Sequence, residues 1–197
     1  MPTADLDVRR GRRRSASSHR AILAATQELL VERPYREVTI EGIAARARVG
    51  KQTIYRWWPS KAALVLEAYL AGQDAVPPPG EQANLRTDVR ALLGWLIAVL
   101  AEPTGGRVVA GLVGDLQQDA VLAQGFHQEV VPARRAAMLA ALERGRARGE
   151  IRADADLELA VDTLHGAVFY RLLLSGEPLD DAFAERVASQ VLAGLAA

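Results

Sequence analysis

A short segment near residue 55 carries side chains that are suited to reading the edges of base pairs. Gln52, Thr53 and Arg56 share one face of a predicted helix that runs from Lys51 to about Trp58. Arginine pairs with guanine, glutamine pairs with adenine, and the methyl group of threonine can contact the methyl group of thymine. The types and spacing of these residues therefore indicate a helix that can enter the major groove of DNA.

The opposite face of this helix is apolar. Ile54 and Trp58 lie only about 40° apart on a helix that turns about 100° per residue, so we expect both to point inward. Tyr55 and Trp57 flank the polar face, and Lys51 stands at the start of the helix. A polar face on a short helix is often simply solvated, and the two flanking aromatic residues could equally belong to a core. The helix pattern alone therefore does not separate DNA binding from solvation.

The residues around this helix are suited to binding phosphate. Thr39 and Ser60 stand where the N-caps of two neighbouring helices belong, and the free N–H groups at helix N-termini bind anions. Lys61 adds a positive charge beside the second N-terminus. Residues 1–18 are polar and lack a hydrophobic period, so we predict a flexible basic arm that contacts the backbone or enters a minor groove. The arm residues that we expect to contact DNA are Arg12, Arg13 and Arg14.

The charge of the chain is zero overall but is divided unevenly. Residues 1–61 contain 13 Lys and Arg against 6 Asp and Glu, a balance of +7, and residues 62–197 contain 11 against 18, a balance of −7. This asymmetry predicts a front part that binds a polyanion and a remainder with a different task.

Several other classes of protein lack support in the sequence. Cysteine is absent, which excludes disulfides, thiol nucleophiles and Cys-ligated metals. A metal site formed by His127, Glu129 and His165 would have no known ligand spacing. No Gly-rich phosphate loop or nucleophile motif is present, so we predict that the protein is not an enzyme and needs no cofactor or metal. The N-terminus lacks the apolar segment of a secretion signal, and the longest apolar run, Ala91–Ala101, is too short to cross a bilayer, so we expect a cytoplasmic protein without a membrane partner.

Hydrophobic spacing predicts an all-α fold of about nine helices. Helix 1 is expected over residues 19–33, with Ser17 or Ser18 as its cap and Pro34 at its end. Helices 2 and 3 are separated by three residues, which is helix-turn-helix architecture, and helix 4 runs toward Ala71. We divide the chain into a basic arm (1–18), a helix-turn-helix domain (19–74) and a C-terminal helical domain (75–197). The helices predicted in the last domain span residues 85–102, 108–117, 120–149 (with a possible bend near Pro132), 157–175 and 181–196, with Asp156 and Asp180 as N-caps of the last two.

The stretch TIEGIAARARVGKQTIYRWWPSKAALVLEAYL, residues 39–70, resembles the signature of the TetR (tetracycline repressor) family, and YRWWPSKAAL, residues 55–64, is its most specific part. Residues 149–179 resemble, less closely, the penultimate, dimer-forming helix of many members. The resemblance implies a DNA-binding transcriptional regulator, by default a repressor that a small molecule releases from DNA. It implies that residues 75–197 form a helical effector-binding and dimerisation domain. It also implies that phosphate is contacted by Thr39 and Lys61, and that DNA is contacted by Lys51, Gln52, Thr53, Tyr55 and Trp57.

The turn between helices 2 and 3 departs from the family pattern at two positions. Arg48 stands where glycine is usual, and a left-handed φ there would cost on the order of 1 kcal/mol. Gly50 stands where Ser or Thr commonly caps helix 3, at a loss of a few tenths of a kcal/mol.

Apolar stripes on the last two predicted helices indicate how a homodimer could form. Two such helices from each subunit would make a four-helix bundle, with Gly166 allowing close approach, and paired subunits would place two recognition helices at the half-sites of a palindromic operator. The alternative is that both stripes pack inside one subunit. The stripes are Ala160, Leu164, Ala167, Val168 and Leu172 in one helix and Ala184, Val187, Ala188, Val191 and Leu195 in the other.

The C-terminal helices also offer candidates for binding an unknown, apolar small-molecule effector. Such a pocket is mostly apolar with a few polar groups, although a single histidine on a helix is more often structural or on the surface. A DNA-binding organiser of the same fold that binds no ligand is the alternative, and it predicts an interior without a cavity of about 300 Å³. The candidate ligand contacts are Trp95, Phe126, His127, His165, Phe169 and Tyr170.

Overall fold

The computed structural model describes residues 4–72 and 84–197, and these residues form ten α-helices and no β-strand, which confirms the predicted all-α fold. A 3-10 turn, Tyr35–Glu37, follows the first helix, and a π-helical turn, Arg171–Ser175, follows the ninth. The helices are α1 (Ala4–Glu32), α2 (Ile40–Ala47), α3 (Lys51–Tyr55), α4 (Lys61–Ala71), α5 (Leu85–Ala101), α6 (Pro103–Leu116), α7 (Ala120–Glu129), α8 (Val131–Ala147), α9 (Leu157–Tyr170) and α10 (Asp181–Leu195).

The first helix is longer than the sequence pattern predicts. It begins at Ala4, so residues 4–18 are helical rather than an irregular arm, and neither Ser17 nor Ser18 is a cap. These residues include five arginines, which favour helix, and contain no proline to stop it. The structure does not describe the side chains of the arm residues predicted to contact DNA, Arg12, Arg13 and Arg14.

A left-handed residue joins α2 to α3. Arg48 has φ 55° and ψ 44°, and the backbone N–H of Val49 donates to the carbonyl of Ala44 at 3.0 Å, which closes the end of α2. Gly50 then caps α3 without a side-chain hydrogen bond. The turn therefore has the left-handed conformation for which glycine is usual at this position, and Arg48 adopts it.

The C-terminal helices differ from the prediction at two boundaries. The helix expected over residues 120–149 is two helices, because α7 ends at Glu129 and α8 begins at Val131. Pro132 lies in the first turn of α8, where its missing N–H is tolerated. Helix α6 begins at Pro103, five residues before the predicted start, and a Cβ atom on Gly105 would lie 2.2 Å from the carbonyl oxygen of Val99. Only glycine permits this close approach after α5.

The chain divides into two compact units, one comprising Met1–Gln73 and Gly111–Asp115 and the other Asp74–Ala110 and Leu116–Ala197. The predicted boundary between residues 74 and 75 lies outside the described residues. In the N-terminal unit, α1 packs against α2 and α4, and Ile22, Leu29 and Ile43 of α1 and α2 are buried. In the second unit, α5, α8, α9 and α10 enclose a core.

The two stripes predicted to pair subunits lie mainly in that core. The stripe residues buried in it are Ala160, Leu164 and Val168 of α9 and Ala184, Val187, Ala188 and Leu195 of α10. The assignment of these stripes to a dimer interface is therefore wrong for these seven residues, because their apolar surface is already covered within one subunit. Asp156 and Asp180 are confirmed as N-caps, since their carboxylates accept from the backbone N–H groups of Leu159 and Phe183.

No single helix in the described ranges is long and apolar enough to cross a membrane. Helix α5 and Thr104–Leu116 meet the length and composition criteria only as a pair bent by 87°, a pattern that buried core helices also produce.

Candidate nucleic-acid interface

Helix α3 presents a polar and aromatic face to solvent from an apolar base. Ile54 and Trp58 are 0% and 3% exposed, which confirms that they point inward. Gln52 and Arg56 are exposed, Thr53 is half-buried, and all three lie on or next to α3. The rigid inner contacts therefore leave the predicted base-reading side chains accessible.

The helix ends earlier than predicted, at Tyr55, but the backbone remains helix-like for about another turn. The N–H of Arg56 donates to the carbonyl of Gln52 at 3.2 Å, so these two residues lie one turn apart on the same face. Arg56 makes no ion pair with any described residue, which leaves its guanidinium group available for two parallel hydrogen bonds.

Two exposed aromatic residues border this face. Tyr55 is 49% exposed and Trp57 is 41% exposed. The indole N–H of Trp57 has no hydrogen-bond partner among the described residues, whereas that of Trp58 donates to Glu67 at 2.7 Å. Of the two adjacent tryptophans, one belongs to the core and the other belongs to the surface that contains α3.

The N-termini of α2 and α4 flank this surface, and both are capped as predicted. The hydroxyl of Thr39 accepts from the N–H of Gly42 at 3.1 Å, and that of Ser60 accepts from the N–H of Ala63 at 3.2 Å. Each cap satisfies one of the unpaired N–H groups at its helix start and leaves others for an anion.

The two predicted lysine contacts already have partners within the protein. The ammonium group of Lys51 lies 3.0 Å from Glu41 and lowers the pKa of that carboxylate through a hydrogen bond. Lys61 donates to the carbonyl of Tyr35 at 3.2 Å and lies 4.0 Å from the centre of its ring. Burial lowers the pKa of Lys61, while the carboxylate of Asp115 acts in the opposite direction.

A basic residue that we did not predict holds α2 against α1. Arg46 pairs with Glu28 at 3.1 Å and with Glu32 at 2.8 Å. The two glutamates lie four residues apart on α1, so they share one face, but nothing in the spacing identifies Arg46 rather than Arg48 as their partner.

Only two of the six candidate ligand contacts line one cavity in the C-terminal unit. Trp95 and His165 face it together with Leu92, Leu96, Arg134 and Met138, and its volume is about 10 Å³. This volume has room for about one water molecule. Burial lowers the pKa of His165, as do the charges of Arg135 and Arg134. The remaining four candidates do not line this cavity: Phe126 and Phe169 are half-buried elsewhere, and His127 and Tyr170 are exposed.

Two family models match the chain. The model described as "Bacterial regulatory proteins, tetR family" matches residues 22–68, and "Tetracyclin repressor-like, C-terminal domain" matches residues 79–191. The first match contains the helix-turn-helix and the second contains α5 to α9 and most of α10.

Named relatives resemble the chain over nearly its whole length. It is 33% identical over 193 residues to the HTH-type transcriptional regulator YdeS of Bacillus subtilis. The aligned region covers 98% of this chain and 96% of the relative. The chain is 33% identical over 189 residues to the DNA-binding transcriptional repressor TetR of Mycobacteroides abscessus, with 94% and 95% covered. A crystal structure of the TetR family transcription regulator SCO0332 matches the fold with a TM-score of 0.73. The two sequences are 36% identical, and the match covers 91% of this chain and 99% of that chain. The chain therefore belongs to the TetR family of helix-turn-helix transcriptional regulators.

Proposed function

We propose that this regulator is a cytoplasmic homodimeric repressor that binds a palindromic operator through α3 and leaves it when a small molecule binds the C-terminal unit. The observation that carries the proposal is the pairing of exposed Gln52 and Arg56 on one face of a helix that Ile54 and Trp58 fix from within. A relative that is 33% identical is named as a DNA-binding repressor, which supports repression rather than activation.

In this proposal, base edges and phosphates are contacted by different residues. Gln52, Thr53 and Arg56 read bases, because their donors and acceptors match base edges in the major groove. The N-termini of α2 and α4, beginning after Thr39 and Ser60, bind phosphates together with lysine, arginine and tyrosine side chains. The phosphate-binding side chains we propose are Lys51, Tyr55, Lys61, Arg12, Arg13 and Arg14.

The salt dependence of binding to duplex DNA tests the phosphate contacts. A fluorescence anisotropy titration would use DNA from upstream of the protein's own gene at several salt concentrations. If six phosphates are neutralised, affinity should fall by about three orders of magnitude between about 50 and 200 mM salt. A matched duplex of shuffled sequence should bind more weakly with a similar slope, and a flat response with the upstream duplex would reject binding led by phosphates.

The outward face of α9 and α10 is the surface through which we propose that two subunits pair. Seven residues of their apolar stripes are buried, but Leu159 and Tyr170 of α9 are 61% and 59% exposed, and Leu174 of the following π-helical turn is 76% exposed. A groove of about 390 Å³ runs between the two helices. Gly166 lies on the exposed part of α9, where a Cβ atom would meet nothing within 4 Å, so a second helix can approach closely.

Replacing this glycine tests the pairing surface. Gly166→Arg leaves the subunit unstrained because the site is open, but it should block the approach of a partner and yield monomers in analytical ultracentrifugation. Gly114→Arg is the matched control, since Gly114 is also an exposed helical glycine with open space around it. Dimers in the Gly166→Arg variant, or monomers in the unmodified protein, would contradict this surface.

We propose that the effector enters beside Trp95 and His165, between α5, α8 and α9. The present cavity of about 10 Å³ is far below the 300 Å³ or more of ordinary ligand sites, so binding requires these helices to separate. A ligand can shift the protein only by its difference in affinity for the closed and open states. The small cavity equally favours the second candidate function, a DNA-binding organiser that binds no ligand.

A panel of apolar small molecules separates these two functions. An effector should weaken operator binding by roughly 5- to 150-fold, the usual range of coupling between two sites. Trp95→Ala should change the response to that compound while leaving operator affinity in its absence within about 2-fold, because Trp95 lies in the C-terminal unit. A protein whose operator affinity no compound alters would support the organiser.

A further inference from the structure

A histidine on α1 lies between the two adjacent tryptophans that follow α3. The ring of His19 stacks on Trp58, with centroids 4.7 Å apart and planes inclined by 28°, and meets Trp57 edge-on at 4.8 Å and 70°. Its Nε2 atom lies 3.1 Å from a carboxylate oxygen of Glu67 on α4. The second oxygen of that carboxylate accepts from the indole N–H of Trp58 at 2.7 Å. We call these four residues the His19 cluster.

The His19 cluster connects the core of the N-terminal unit to its exposed α3 surface. Trp58 is 3% exposed and is anchored by its hydrogen bond, so it gives His19 a fixed support. Trp57 is 41% exposed, and its contacts with His19 and Trp58 are its ring contacts among the described residues. An exposed indole without such contacts would be free to change its rotamer.

We propose that His19 is a positioning residue for DNA binding: it holds the indole of Trp57 so that the indole N–H can donate to a DNA phosphate. This inference rests on the proposed function of the α3 surface. The indole N–H is only a donor and has no partner in the described part of the protein, while a phosphate oxygen is only an acceptor. His19 itself touches no DNA in this proposal and acts through the ring of Trp57.

The physical basis is preorganisation. Fixing a large side chain at an interface opposes binding, and contacts that already fix it in the free protein remove that penalty. The edge-on arrangement of His19 and Trp57 is one that aromatic pairs prefer. A phosphate contact carries no sequence information, so its loss should weaken binding to all sequences alike.

A double-mutant cycle in the full-length protein tests the proposal. His19→Ala should weaken binding to the upstream duplex by about 3- to 10-fold, the equivalent of the ordering penalty. The same substitution in a Trp57→Phe background should change affinity by less than about 2-fold, because the donor that His19 positions is already absent. His19→Phe preserves a ring between the tryptophans and should restore affinity to within about 2-fold of the unmodified protein.

A control variant separates the effect of the ring contacts of His19 from the effect of the negative charge on Glu67. Glu67→Gln retains an acceptor for Trp58 and removes the negative charge beside His19, so it should leave affinity within about 2-fold. Circular dichroism at the temperature of the assay verifies that each variant is folded.

Three results would overturn the positioning role. They are an equal loss for His19→Ala in both backgrounds, a loss that His19→Phe does not restore, and a loss confined to one DNA sequence. Failure of the proposed function looks different, because the unmodified protein would then bind no duplex at low salt.

Discussion

The left-handed arginine in the helix-turn-helix provides a prediction about stability. Arg48 has φ 55° in the turn that joins α2 to α3, and it is the one non-glycine residue with positive φ among the described residues. Its side chain is exposed and forms no hydrogen bond or ion pair with any described residue. Arg48→Gly should therefore relieve backbone strain without removing a contact, and the protein should become more stable.

The expected gain is the difference between two backbone effects. A left-handed conformation costs a residue with a Cβ atom about 1–2 kcal/mol. Glycine gives back about 0.4–1 kcal/mol, because it makes the unfolded chain more flexible. The net stabilisation should be about 0.5–1 kcal/mol, which for a chain of this size corresponds to a rise in Tm of about 1–4 °C.

Urea unfolding followed by tryptophan fluorescence measures this change in stability in the N-terminal unit, which contains Arg48. Trp57 and Trp58 belong to the N-terminal unit and Trp95 to the other, so a Trp95→Phe background reports the helix-turn-helix unit alone. Arg48→Ala is the matched control, since it removes the same charge and side chain but keeps the Cβ atom. That control should gain no stability.

An equal response of the two variants would refute the reasoning, because the removed side chain, and not the backbone, would then explain the change. A loss of stability in Arg48→Gly would refute it as well. Operator affinity should stay within about 2-fold in Arg48→Gly, since glycine adopts the same φ and ψ and α3 keeps its direction.

Three further predictions concern the C-terminal unit and are measured by urea unfolding. Gly145→Ala should destabilise by about 1–2 kcal/mol, because its Cβ atom would lie 2.7 Å from buried Leu85. Asp88→Ala should destabilise by about 1–3 kcal/mol, because Asp88 is 1% exposed and accepts from Arg144 at 3.1 Å. Burial lowers the pKa of His165, so the unfolded chain binds that proton more readily and stability falls as pH drops through and below the ordinary histidine range near about 6.5. His165→Gln should make that fall shallower.

Each of these predictions has a clear contrary result. Gly94→Ala is the control for Gly145→Ala, since a Cβ atom on Gly94 meets nothing within 4 Å, and equal effects would show that steric contact is irrelevant. An unchanged free energy of unfolding in Asp88→Ala would mean that the buried pair contributes nothing. An unchanged slope between about pH 7 and pH 5 in His165→Gln would assign the acid sensitivity to other groups.

Local periodicity was sufficient to predict the architecture of α3. The inward pair Ile54 and Trp58 follows from helical spacing alone, and the caps Thr39 and Ser60 follow from side chains that match the start of a helix. Both features depend on residues within a few positions of each other. Such features are encoded in neighbouring residues, whatever the rest of the fold does.

Features that depend on distant partners were not predictable in this way. Helical spacing identifies Leu164 and Val187 as members of apolar stripes but does not say whether the surface that covers them belongs to the same subunit. The pairing of Lys61 with Tyr35 joins residues 26 positions apart, and His19 meets Trp57 across 38 positions, and no local pattern connects them. The start of α1 at Ala4 is not predictable from periodicity, because a polar helix has no hydrophobic period to reveal it.

The central claim is that the outward face of α3 specifies the DNA sequence. The most direct measurement selects bound duplexes from a pool of random sequences and compares the unmodified protein with Gln52→Ala, Arg56→Ala and Lys61→Met, the last of which removes a charge but retains the stem over Tyr35. We predict that Gln52→Ala and Arg56→Ala each relax base preference at one position of each half-site by about 1–3 kcal/mol, whereas Lys61→Met weakens all sequences alike. An unchanged base preference in both Gln52→Ala and Arg56→Ala would contradict the claim.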